Sequence, residues 1–95
     1  MNNRQSGLAL LNIGFNNMVA EERIIAIVSA DPSPIKRLKD EAQKAGRLVD
    51  ATNGRKTRSV IVTDSNHVVL SSIEPETLTA RAKNEPPAAG GREED

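Results

Sequence analysis

The chain has 95 residues, in which 13 Lys and Arg balance 13 Asp and Glu, with one His, no Cys and a single Phe as the only aromatic. Those counts describe one small domain with a lean core, and they exclude a disulfide framework and a thiolate zinc site. The lack of Tyr and Trp removes stacking platforms for single-stranded nucleic acid, and so lean a core is expected to gain stability by oligomerisation.

Residues 1–6 are polar and are expected to be disordered, with one domain spanning 7–83. Leu8 to Leu11 is apolar but is broken by Asn12, too short for a signal-peptide core. No stretch approaches the roughly 20 apolar residues of a membrane span, so the expected location is cytoplasmic with no membrane partner. Leu8–Ile13 reads as a first strand closed by Gly14-Phe15-Asn16-Asn17, and Met18-Val19-Ala20 as a second short apolar piece. The β-branched run Ile24-Ile25-Ala26-Ile27-Val28, preceded by Arg23, predicts a strand buried on both faces.

Ser29-Ala30-Asp31-Pro32-Ser33-Pro34 is a turn leading into a helix, with Ser33 suited to cap and Pro34 to the first helical position. Ile35, Leu38, Ala42 and Ala45 recur at helical spacing over residues 34–45, and Gly46 suits a left-handed terminator. Lys36 and Arg37 fall in the first turn, where cations oppose the helix dipole. That placement suits either a polyanion contact or plain solvated surface.

Leu48–Ala51 predicts a further strand, and Asp50-Ala51-Thr52-Asn53-Gly54-Arg55-Lys56-Thr57-Arg58 runs directly into the strand Ser59–Thr63. Asn53-Gly54 favours positive φ at both positions, as a two-residue type I′ hairpin requires. The expectation is a hairpin reversing at Gly54 and projecting Arg55, Lys56 and Arg58 from the rim of the sheet. No acidic residue lies between Asp50 and Asp64, and the Arg fork suits phosphate oxygens. The same cations also suit a solvated tip that keeps a sheet edge from aggregating. Arg23 likewise reads as a binding group or as a strand-end anchor paired with Glu21 or Glu22.

Asp64-Ser65-Asn66-His67 is a reversal into Val68–Ser72, and Pro75 opens a short helix carrying Leu78 and Ala82. Residues 84–95, rich in Pro, Gly and acidic groups, are expected to be a flexible tail. Residues 1–82 carry 11 cations against nine anions, so any polyanion site must be concentrated locally or multiplied by assembly. Together these elements predict an α+β domain whose small, largely antiparallel sheet packs on one central helix.

His67 without Cys makes no metal set, and nothing in the spacing of Asp50, Asp64 and His67 defines an acid–base pair or a triad. No glycine-rich phosphate loop or KH-type glycine pair is present. No catalytic residue, metal ligand, cofactor or small-molecule substrate is therefore expected, and duplex binding is favoured over base stacking.

The blocks Asn12-Ile13-Gly14-Phe15, Asn17-Met18, Arg23–Val28, Ser33–Leu38, Leu48–Thr52 with Gly54–Arg58, Asp64-Ser65 with His67-Val68, and Pro75-Glu76-Thr77 occur in order. Together they resemble the RemA family of bacterial extracellular-matrix regulators over about residues 8–82. The resemblance implies a double-stranded-DNA-binding transcriptional regulator, in its best-known members an activator of biofilm-matrix operons, that assembles into rings with DNA along a basic outer surface. It also implies a fold comparable to LytTR-type DNA-binding domains. Carried over position by position, the basic residues of the family fall on Arg23, Arg55, Lys56 and Arg58, and Pro34 matches a position that acts through helix geometry. Lys56 stands where the family commonly has a second Arg, Asn53 where it has Tyr, and Asn16 where it has Gly. Ala20-Glu21-Glu22 is also more acidic than the pattern. Two other readings of the basic rim are a scaffold protein binding an acidic protein partner and an RNA-binding accessory protein.

Overall fold

The computed structural model describes residues 9–83. Both segments expected to be disordered, 1–6 and 84–95, lie outside the described residues. The elements in chain order are β1 (Leu10–Asn12), β2 (Met18–Ala20), a 3-10 turn at Glu21–Arg23, β3 (Ile24–Ser29), α1 (Ser33–Lys44), β4 (Leu48–Asp50), β5 (Ser59–Thr63), β6 (Val68–Ser71) and α2 (Pro75–Ala82). Strands β1 and β2 form a two-stranded sheet, and the other four form a sheet ordered β3-β5-β6-β4. Only β4 with β6 is parallel; the remaining pairs are antiparallel. The α+β class and the mostly antiparallel pairing match the sequence reading.

Two apolar clusters hold the layers together. On one sheet face Val60, Val68 and Leu70 pack with Ala42, Ile35 and Leu38 of α1. On the other face Ile61 and Val69 pack with Leu11 and Ile13 of the first hairpin and with Leu78 of α2. Alternation along β5 and β6 sends successive side chains to opposite faces, and both faces are covered. Those two strands are therefore the buried centre of the sheet.

The run Ile24–Val28 is not buried on both faces as expected. It forms an edge strand, and Ile25 is 66% exposed beside a register shift between Ile24 and Ala26. A β-branched run fixes a strand but not its place in the sheet, and Val60-Ile61-Val62 takes the centre instead. The helix also differs slightly from the reading. Pro32 is the N-cap, Ser33 and Pro34 are inside the first turn, and no side chain caps the end. Both Ile35 and Lys36 donate to the Pro32 carbonyl. At the other end Arg47 N–H bonds the Ala42 carbonyl at 2.8 Å and Gly46 N–H bonds Gln43 at 3.2 Å, with Gly46 at φ +75°. This is the left-handed stop the sequence predicts.

The Asn53–Gly54 segment is a turn of the expected kind, but it does not join paired strands. Asn53 and Gly54 have φ of 56° and 81°, and Arg55 N–H bonds the Thr52 carbonyl at 3.0 Å. Strand β6 lies between β4 and β5, so the expected hairpin is replaced by a connection over residues 51–58 that crosses the end of β6. The physical reason is local: β5 and β6 are joined by a short reversal, closed by Asn66 N–H to the Thr63 carbonyl at 3.1 Å. That close partner takes the edge of β5 that β4 would need. A tight two-residue hairpin turn is found instead between β1 and β2, with Phe15 and Asn16 at φ 55° and 65°.

The base of the crossing loop is fastened by Asp50. Its Oδ1 accepts bonds from Thr52 Oγ1 at 2.6 Å and Thr52 N–H at 3.0 Å. The Thr52 hydroxyl, then its amide, and more weakly Lys39, hold this carboxyl below the ordinary Asp value against a small opposing desolvation. A lowered folded-state value means that the stabilisation is complete above the ordinary carboxylate range and is lost as pH falls through the folded value. Asp50→Asn keeps an acceptor oxygen without the titration. Its melting temperature, measured between about pH 6 and pH 2, is expected to fall below wild type near neutrality and to converge on it in acid. Leu78→Ala, which empties a fully buried site, is expected to cost about 2–5 kcal/mol by urea denaturation. Leu38→Ala, at a partly buried site, is expected to cost less.

Candidate nucleic-acid interface

The crossing loop gathers the cations at one end of the sheet. Ala51 N–H continues the β4–β6 ladder to the Leu70 carbonyl at 3.0 Å, and Ala51 and Thr52 are buried. After the Asn53–Gly54 turn the chain comes back along the end of β6, where Arg58 N–H bonds the Ser71 carbonyl at 2.8 Å. Ala30 N–H in turn bonds the Arg58 carbonyl at 3.2 Å. Arg55, Lys56 and Arg58 are all exposed, and they stand where β6 ends and α2 begins.

Each cation has a different surrounding. The Arg55 guanidinium lies 5.7 Å from the centre of the Phe15 ring, a cation–π contact worth about 0.5–1 kcal/mol at an exposed site. Phe15 is bulky and holds φ 55°, a conformation such residues rarely adopt. Arg58 Nη1 bonds Glu74 Oε2 at 2.9 Å, with the two side chains 46% and 51% exposed. A pair so exposed contributes only about 0–1 kcal/mol. The guanidinium fork takes phosphate oxygens in the same paired geometry as carboxylate oxygens. Lys56 lines two small recesses. One, of about 140 Å³, is bounded by Arg55, Lys56, Arg58 and Ser72. The other, of about 70 Å³, is bounded by Ser29, Asp31, Lys56, Thr57, Arg58 and Glu74.

Arg23 is not part of this cluster. It precedes β3, whose Ile24 pairs with Thr63 at the opposite end of β5. Its Nη1 bonds Asp64 Oδ2 at 3.2 Å, so the carboxylate found there is neither of the two neighbours, Glu21 or Glu22, that the sequence suggested. Lys36 and Arg37 are exposed in the first turn of α1. That turn follows the Ser29 end of β3, which pairs with Ser59 beside Arg58. Pro34 sits in that same turn, and Gly54 holds the left-handed position of the loop.

Asp50 and Asp64 lie at opposite ends of the sheet and do not converge. His67 Nδ1 contacts Ser65 Oγ at 2.7 Å within one reversal, while the Asp64 carboxylate beside it bonds Arg23. Among the described residues no group of three His, Asp or Glu is placed to hold a metal, and no helix is long and apolar enough to cross a membrane.

Three residues at the basic end escaped the sequence reading: Phe15, Ser72 and Glu74. The only available signal was the single aromatic standing in a turn. The other two are brought in by β6 and α2.

The family described as RemA-like, extracellular matrix regulatory protein A-like, matches residues 10–82. A protein of Thermotoga petrophila is 62% identical over 72 residues, covering 76% of this chain and 78% of its own length. One from Desulfatibacillum aliphaticivorans is 65% identical over 72 residues, covering 76% and 81%. One from Desulfosudis oleivorans is 67% identical over 72 residues, covering 76% and 74%. All three carry the name "Putative regulatory protein". The match runs from β1 to the end of α2 and takes in the crossing loop, and the chain belongs to the RemA-like family.

Proposed function

We propose that this regulatory protein binds double-stranded DNA to control transcription, acting in the cytoplasm as a ring-shaped homo-oligomer with no cofactor and no enzymatic step. The observation that carries this reading is the set of three exposed cations within four residues, held over the end of β6 by buried loop anchors. The mechanism is electrostatic. Arg55, Lys56 and Arg58 neutralise phosphates, and Lys36 and Arg37 add contacts from the first turn of α1. Arg23, roughly 15–20 Å away along the strands, meets the duplex at a separate phosphate.

With cations and anions equal over the whole sequence and only a small positive excess over residues 1–82, assembly is part of the mechanism, since one protomer has little long-range field. Leu10, Met18, Ile25 and Val49 are large apolar side chains about half or more exposed, which supports burial between copies. Strands β3 and β4 are the edge strands of the four-stranded sheet. Contacts between two different faces of one protomer, repeated with a closing rotation, give a ring.

If each engaged protomer neutralises about three phosphates, log affinity for duplex falls with log salt at a slope near −3 per protomer. Titration of a labelled duplex at several salt concentrations, with mass measured by light scattering, tests this reading. A flat salt response, or preference for matched RNA, contradicts it. Lys56→Ala is expected to flatten the slope by about 0.9 per protomer with the assembly mass unchanged. Glu74→Gln releases Arg58 from its internal partner. It is expected to tighten duplex binding about two- to fivefold and to steepen the slope, whereas weaker binding would make Glu74 an orienting group for Arg58.

A further inference from the structure

We infer that the recess between Arg55, Lys56, Arg58 and Ser72 is a seat for one tetrahedral oxyanion, a single phosphate group, and not a stretch of diffuse positive surface. Its volume, about 140 Å³, is well under the ~300 Å³ at which small-molecule pockets begin. It has room for a phosphate group.

The walls divide the work by chemistry. Arg55 and Arg58 bring guanidinium charge, Lys56 brings a point charge, and Ser72 brings a neutral hydroxyl. No carboxylate lines this recess among the described residues; Glu74 and Asp31 line the neighbouring one. Arg58 thus stands between an internal carboxylate and the recess. Arg55 is steadied by the Phe15 ring, whose left-handed backbone is the sort of local strain that collects at binding sites.

Ser72 is the observation that separates a seat from a surface. Two serines beside Ser72 have partnered hydroxyls. Ser59 Oγ donates to the Ile73 carbonyl, and Ser71 Oγ donates to the Ile13 carbonyl at 2.9 Å. The Ser72 hydroxyl oxygen is buried and, among the described residues, has no hydrogen-bond partner. Buried polar atoms are nearly always partnered. A hydroxyl left over on the wall of a cationic recess is accounted for if the missing acceptor is an ion that enters it. The shared chemistry admits two sources, a backbone phosphodiester of the duplex or free orthophosphate. The first rests on the function proposed above; the second does not.

The test uses the full chain, as wild type and Ser72→Ala, in two arms. In the first, thermal melting is followed with inorganic phosphate or chloride at matched ionic strength. The seat predicts that phosphate raises the wild-type melting temperature beyond chloride and that Ser72→Ala loses most of the difference. Without phosphate the variant is expected to melt no lower than wild type, since an unpartnered hydroxyl has been removed. In the second arm, duplex affinity is measured at two salt concentrations. Ser72→Ala is expected to bind about tenfold more weakly with an unchanged salt slope, because the lost donor carries no charge.

A phosphate effect with unaltered duplex affinity overturns the phosphodiester source and leaves a free-ion seat. A phosphate effect with no duplex binding by wild type supports the seat and overturns the DNA reading. Normal duplex binding, with phosphate and chloride equivalent and Ser72→Ala indifferent in both arms, overturns the seat alone.

Discussion

The antiparallel pairing of β5 with β6 sets Val60 against Leu70 and Ile61 against Val69, with α1 over one face and the first hairpin and α2 over the other. Burying each such side chain contributes about 1.5–3 kcal/mol, so these two strands hold the middle of the sheet and push β3 and β4 to its edges. The chain leaving β4 therefore has to pass over the end of β6 to reach β5. That crossing puts Arg55, Lys56 and Arg58 together, next to Ser72 and Glu74. The basic end of the molecule is thus a consequence of strand order in the core.

Charge acts locally in this protein. Equal numbers of cations and anions over the whole sequence leave no strong field to steer a polyanion from a distance. What the fold supplies is concentration: a segment with no acidic residue between Asp50 and Asp64, laid across one end of the sheet. It also supplies a brake, because the Glu74 carboxylate already occupies Arg58. Under the proposed function, an exposed pair of this kind is weak enough to exchange for a phosphate, so it would lower affinity for duplex without closing the surface. In the proposed function, repetition of one moderate patch around an assembly supplies the total that a single protomer would lack.

Much of this was legible in the sequence, and the illegible parts have a common cause. The stripe Ile35, Leu38, Ala42 and the stop at Gly46 specified α1 because helix periodicity and termination are local. The β5–β6 reversal was legible for the same reason. Strand order was not: Ile24–Val28 and Val60–Val62 are both β-branched runs, and nothing in their composition says which one is central. The Asn53–Gly54 pair correctly signalled positive φ, but a turn signal does not name the strands it joins. The pairings of Arg58 with Glu74 and of Arg23 with Asp64 span 16 and 41 residues, and only the folded topology brings them together. The basic loop itself was visible as a charge cluster. The resemblance carried Arg23 into the same set, although the fold puts it at the far end of the sheet.

Hydrogen-exchange footprinting of the full chain with and without duplex DNA tests the central claim most directly, since it reads which backbone segments a bound duplex covers. The account predicts slowed exchange in residues 52–58 and 71–74, where the crossing loop meets the ends of β6 and α2. Slowed exchange confined to residues 63–67, with the crossing loop unchanged, would contradict it.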